Sequence, residues 1–190
     1  MTDQKPTRPS VMIATPMYGG MCTGYYVQGV LRTVAKLREL GAPVFWAHIM
    51  NESLITRARN ELARVFLEQG YDYLMFIDAD IGFDETAVLN LLAADRDVVC
   101  GLYPKKEVDW KQINKAAKEG KDNLQDYGGA FVFNMIGGAD AETDDNGLFE
   151  TRHGGTGFML IKRGVFEHLM PHVPTYRPTK TGRPGNTTSP

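Results

Sequence analysis

Of 190 residues only two are cysteine, Cys22 and Cys100, far apart and matching no metal-ligand spacing. Reduced thiols therefore fit better than a disulfide framework. Long apolar runs are missing as well. Nothing approaches the roughly 20 residues a membrane-spanning helix needs, and Met1 to Ser10 is polar where a secretion signal is apolar. These absences predict no transmembrane segment and a cytoplasmic location. Neither sign of charge dominates: 21 Lys and Arg stand against 23 Asp and Glu, a formal net charge of −2. Polyanions are held by a positive excess that releases counterions, so no nucleic-acid partner is expected. The early loop Gly19-Gly20-Met21-Cys22-Thr23-Gly24 has neither the spacing of a dinucleotide fingerprint nor the lysine of a P-loop. Dinucleotide binding and ATP hydrolysis lose support accordingly. No internal repeat is visible.

What remains is 43% hydrophobic and 10% aromatic, enough to build the core of one domain. Apolar runs predict strands at about Val11–Ala14, Val44–Ile49, Tyr73–Ile77, Val98–Leu102 and Gly157–Ile161. Helical spacing predicts helices between them. One spans about Gly24–Leu40, with a stripe of Val27, Val30, Leu31, Val34 and Leu37. The next is capped by Ser53 and stopped by Gly70, with Ile55, Ala58, Leu62, Val65 and Phe66 as its stripe. Others are expected at Asp84–Ala93, Lys111–Lys118 and Gly164–Met170. Alternation of strand and helix implies an α/β fold, a mostly parallel central sheet with helices on both faces. The expected layout is a polar lead over 1–10, one domain over 11–170, and an unstructured tail over 171–190, where five prolines fall. The acidic, Gly-rich stretch at 137–147 is expected to be a loop or hairpin, its Asp140, Glu142, Asp144 and Asp145 solvated.

In such sheets ligands bind beyond the carboxyl ends of the strands. Three loops qualify: Thr15 to Gly20, Asp78-Ala79-Asp80, and Tyr103-Pro104-Lys105-Lys106. The middle one is the most informative. Extended backbone sends alternate side chains the same way, which aims both aspartates at one point. At about 4 Å and an effective dielectric near 20, their repulsion is about 4 kcal/mol, and a bound cation turns it into attraction. Hard oxygen ligands with no Cys or His nearby favour Mg²⁺ or Mn²⁺ over Zn²⁺. The plainer reading is a strand end with turn-capping aspartates.

Arg59 falls within the apolar stripe of its helix, where a cation requires an anion or acceptor: a diphosphate, a uracil carbonyl, or Asp78 or Asp80. Snorkelling to solvent is the alternative. Asn60 stands beside it. Tyr18, before Gly19-Gly20, suits a nucleobase contact. Lys105 and Lys106 suit phosphate, and Trp110 a sugar face, or else they form a basic turn beside a core tryptophan. His153-Gly154-Gly155-Thr156-Gly157 suits a flexible acceptor pocket with His153 as base, or else polar surface.

Four segments together resemble the GT-A glycosyltransferases, looking closest to a compact bacterial and viral branch: Ala14 to Gly20, Ala58 to Leu62, Phe76 to Phe83 and Gly155 to Ile161. The resemblance runs from about Val11 to Met170. It implies a Rossmann-like nucleotide-sugar-binding fold, a UDP- or GDP-sugar donor and a saccharide or other hydroxyl acceptor. It implies Mn²⁺ or Mg²⁺ bridging Asp80 and the diphosphate, with Asp78 near the metal or the donor ribose. Thr15, Pro16 and Tyr18 match the loop that meets the nucleotide, Arg59 and Asn60 match a donor-site element, and Ala79 and Lys105 are further donor-side candidates. Gly154, Gly155, Thr156 and Trp110 are candidates for the acceptor or sugar pocket. Such enzymes commonly continue past the Gly155-Thr156-Gly157 strand into an acidic motif and helix, whereas here a Pro-rich segment follows. Either the base lies elsewhere, as at His153, or the chain is a shortened form. Two rivals stand beside glycosyl transfer. A sugar-nucleotide nucleotidyltransferase is disfavoured because Thr15 to Gly24 contains no Lys or Arg. The other is a donor-binding module without turnover.

Overall fold

In the computed structural model, which describes residues 8–131, 133–137 and 141–174, the first apolar run forms a wholly buried strand, β1 (Val11–Met17). Then come α1 (Gly24–Glu39), β2 (Val44–Met50), α2 (Ile55–Gln69), β3 (Tyr73–Ile77), α3 (Glu85–Ala93) and β4 (Val98–Cys100). The chain next leaves the main sheet for β5 (Pro104–Val108), α4 (Trp110–Lys118), β6 (Gly129–Phe131), β7 (Phe133–Met135) and β8 (Thr151–Gly154). It returns through β9 (Phe158–Lys162) and α5 (Arg163–Leu169). The 137–147 stretch lies, where described, between β7 and β8, which pair with each other, and β5 pairs with β6. Of the tail expected to be unstructured, everything beyond 174 lies outside the described residues, as does 1–7 of the polar lead.

The main sheet has the order β2-β1-β3-β9-β4. Its first three strands are parallel and β4 runs the same way, but β9 is antiparallel to both β3 and β4, so the sheet is mixed. The cause is the excursion. The chain departs at the carboxyl end of β4 and re-enters beside the same end, with Cys100 opposite Met159, so β9 can only run back the other way. An apolar run such as Phe158 to Ile161 carries no mark of direction.

Helices do cover both faces. Tyr26, Val30 and Leu37 of α1 and Val88 and Leu91 of α3 pack with Val11, Ile13, Met75, Ile77 and Leu160. Leu62 and Phe66 of α2, joined by Phe166 of α5, pack on Met12, Ala14, Leu74 and Phe76. The buried stripe of α1 is rotated from the expected one. Tyr26, Gly29, Val30, Thr33 and Leu37 face inward, while Val27 and Leu31 face solvent. Gly29 explains the rotation, because a Cβ there would lie 2.8 Å from the Phe83 ring and carbonyl. Only glycine permits that approach.

Two helix ends depart from expectation in an instructive way. Ser53 does not cap α2; Leu54 precedes the helix without a side-chain cap, and Glu52 accepts the Leu54 N–H at 3.0 Å. Ile55 is consequently exposed rather than core. At the other end Gly70 closes α2 in the left-handed conformation, φ 78°. Arg163 completes that cap, donating to the carbonyls of Phe66 (2.9 Å), Leu67 (3.3 Å) and Tyr71 (2.7 Å), its guanidinium 4.8 Å from the centre of the Phe66 ring. A cation at a helix C-terminus satisfies orphan carbonyls and meets the negative end of the dipole. The entry of α5 is thereby bolted to α2.

Candidate functional site

The carboxyl end of β3 is where the chemistry-bearing side chains meet. Asp78 leaves the strand with its N–H donated to the Gly157 carbonyl at 2.8 Å, and the Ile81 N–H returns to the Asp78 carbonyl at 3.1 Å, which closes a turn. Ala79 at its apex accepts the Thr23 N–H at 2.9 Å, binding the turn to the start of α1. Thr23 also caps that helix through its hydroxyl. The turn carrying both aspartates is thus held from two sides by backbone hydrogen bonds.

In front of it lies a cleft of about 570 Å³, lined by Asp78, Ala79, Asp80, Pro16, Tyr18 and Lys106 among others. The two carboxylates have different partners. Arg59, on α2 between the buried Ala58 and Leu62, donates through Nη2 to Asp78 Oδ1 at 2.8 Å. Of the acceptors open to Arg59, it takes Asp78. Asp80 is contacted by the Lys106 ammonium from β5. The hydrogen bond to Asp80, then its charge, with a smaller share from Asp78, hold that ammonium above its ordinary pKa.

Other candidates are distributed more widely. Thr15 is wholly buried; its hydroxyl contacts that of Tyr26, and the Trp46 indole N–H lies 3.4 Å from Thr15 and 3.0 Å from the Tyr26 oxygen. It is not among the residues that line the cleft. Burial pushes the Tyr26 phenol up to about 12. Lys105 pairs at 3.7 Å with Glu107, its own strand neighbour, and Lys106 occupies the cleft in its place. Asn60 is exposed on α2, outside the cleft lining. Trp110 opens α4 and is exposed, also outside it.

The Gly-rich stretch is not the flexible pocket expected. Gly155 and Gly157 are buried, and a Cβ on either would come within 2.1 Å and 2.7 Å of the Tyr103 hydroxyl oxygen. The hydroxyl accepts the Gly157 N–H at 3.0 Å. A Cβ on Gly157 would also lie 2.8 Å from Asp78 Oδ2, so these glycines let backbone close beneath the aspartate. His153 is exposed in β8, Thr156 is partly buried, and neither lines the cleft. Gly154 lines a different cavity, about 740 Å³, with Cys100 and Met159.

Six residues of the lining lie outside the sequence-predicted set: Met21, Cys22 and Thr23 just before α1, and Glu52, Ser53 and Ile55 around the connection after β2. The available signal was the rule already applied to β1 and β3. β2 is parallel to β1, with Met50 opposite Met17, so the residues after Met50 emerge at the same end. Glu52 is held below the usual carboxylate range, chiefly by Arg57, which reaches it at 2.5 and 2.6 Å, and then by the Leu54 N–H. No family model matches this chain, and no curated protein matches it.

Among the described residues, no group of three or more His, Cys, Asp or Glu side chains could hold a metal ion. Two hard carboxylates beside an open cleft nevertheless fit Mg²⁺ or Mn²⁺, which fill the rest of their shells with water and phosphate oxygens. The described helices include none long and apolar enough to cross a membrane.

Proposed function

We propose that the chain is a metal-dependent glycosyltransferase of GT-A architecture that moves a sugar, hexosyl or related, from a UDP- or GDP-linked donor to an acceptor hydroxyl. The observation that supports this most is the exposure of Asp78 and Asp80 to one cleft at the carboxyl end of β3, alongside Pro16 and Tyr18 from the end of β1. Ligands of open α/β sheets bind at that position.

Asp80, with Asp78, is the pair to hold Mn²⁺ or Mg²⁺. When bound, the ion supplies charge neutralisation of the departing nucleoside diphosphate. The chain's own residues do the remaining work. Arg59 holds Asp78 in place, donating from the packed helix α2 through Nη2 to Oδ1. Lys106 brings a positive charge to the same wall. His153 lies away from this cleft, so the acceptor hydroxyl is assigned to Glu52, the remaining carboxylate of the lining. Arg57 keeps Glu52 ionised and makes it a weak base, suited to orienting the hydroxyl by accepting its hydrogen bond.

Thermal unfolding with a panel of UDP- and GDP-sugars, with and without Mn²⁺, tests this. A ligand at 100 times its Kd adds about 2.7 kcal/mol to the folded state, so a Mn²⁺-dependent rise in Tm is expected with at least one donor, absent in Asp80→Ala. No rise with any donor, metal present or not, counts against the proposal. Donor binding without release of nucleoside diphosphate points instead to a binding module.

A further inference from the structure

Lys106 is the most exposed partner in the cleft, with 84% of its side chain open to solvent, and its contact is a carboxylate assigned above to the cation. It comes from an unusual place. β5 is exposed along its length and, among the described residues, pairs with β6 at Pro104–Phe131 and Val108–Gly129, with an irregularity between. Lys106 sits in that irregular middle. Its side chain stands largely in solvent, and exposed lysine–carboxylate pairs are weak. Asp78, by contrast, is held by an arginine only 21% exposed on a packed helix. One carboxylate is clamped by the scaffold, and the other is covered by a tethered ammonium.

We infer that Lys106 is a built-in counter-ion for Asp80: it occupies the cation position in the ligand-free chain, gives way when a divalent ion arrives, and so sets how tightly that ion binds. This rests on the reading of Asp78 and Asp80 as the metal pair. The physical basis is competition. An ammonium and a divalent cation cannot both neutralise one carboxylate at contact distance, and their mutual repulsion raises the cost of sharing it. A long, strongly hydrated and solvent-exposed side chain is the kind that can leave.

Mn²⁺ binding to the purified full chain, read from the electron paramagnetic resonance of free Mn²⁺ without any donor, tests the inference separately from activity. Loss of one exposed competing charge changes an affinity by roughly 5-fold at most. Lys106→Met should therefore bind Mn²⁺ about 3- to 5-fold tighter than the unaltered chain. Lys106→Arg, which keeps the charge, should stay near the starting value, and so should Lys105→Met, which loses only the Glu107 contact. Asp80→Asn should lose the site. Equal or weaker binding by Lys106→Met, with Asp80-dependent binding intact in the unaltered chain, overturns the counter-ion role alone. No Mn²⁺ bound by any variant removes the metal reading beneath it and the inference with it.

Discussion

The two sides of the cleft are built differently. Asp78 belongs to the sheet: its backbone is bonded to Gly157 next to β9, its side chain meets Arg59, and both rest on the buried layers around β1 and β3. Lys106 belongs to the excursion between β4 and β9, where two two-stranded ladders lie outside the main sheet and β5 buries none of its residues. A paired strand with a solvent-facing surface on both sides contributes little hydrophobic stabilisation. The lesson is a division of labour. The sheet sets where a ligand's charge must go, and the excursion supplies a side chain that can move while the fold stays intact.

That contrast is sharpest in stability. Leu160 of β9 is wholly buried between Met75 and Val99, so Leu160→Ala should cost about 2–5 kcal/mol in urea unfolding. Val108→Ala, half exposed on β5, should cost less than about 1 kcal/mol. Comparable losses from the two would break the comparison.

A smaller contrast separates the two cations. Arg59→Met leaves Asp78 partly buried and unpaired, and after discounting for its 31% exposure the loss should be about 1 kcal/mol. Lys106→Met should leave the unfolding midpoint unchanged at neutral pH. Because its pKa is raised by Asp80, whatever Lys106 adds to stability is fully present below the ordinary lysine range. It fades only as pH climbs through the raised value. Chemical denaturation at pH 7 and at alkaline pH checks both statements; a large loss for Lys106→Met at pH 7 would place β5 within the cooperative core.

Much of this architecture was readable from residue patterns, for reasons that also mark where reading stops. Tyr73–Ile77 is apolar throughout and ends at Asp78, so the strand and the turn behind it are both visible locally. Arg59 stands out because a cation in an apolar stripe requires a partner. The direction of β9 is different in kind, since it follows from where the excursion begins and ends rather than from Phe158 to Lys162 themselves. Adjacent lysines on a strand face opposite ways, so which of Lys105 and Lys106 meets Asp80 depends on how β5 is presented. Pro16 shows the same limit. It reads as a breaker, yet β1 continues to Met17 because pairing with β3 ends at Ala14, leaving Pro16 paired on the β2 side. The glycines at 155 and 157 look like flexibility in sequence, and only the Tyr103 hydroxyl reveals them as close-approach positions.

The most direct measurement is the anomalous scattering of Mn²⁺ in crystals of the chain grown or soaked with Mn²⁺ and UDP. The account predicts a single strong peak within coordination distance, about 2.0–2.6 Å, of an Asp80 oxygen and of diphosphate oxygens, with the Lys106 ammonium moved off Asp80. Diphosphate bound away from the Asp78–Asp80 turn, or bound there with no metal while Lys106 still covers Asp80, would contradict it.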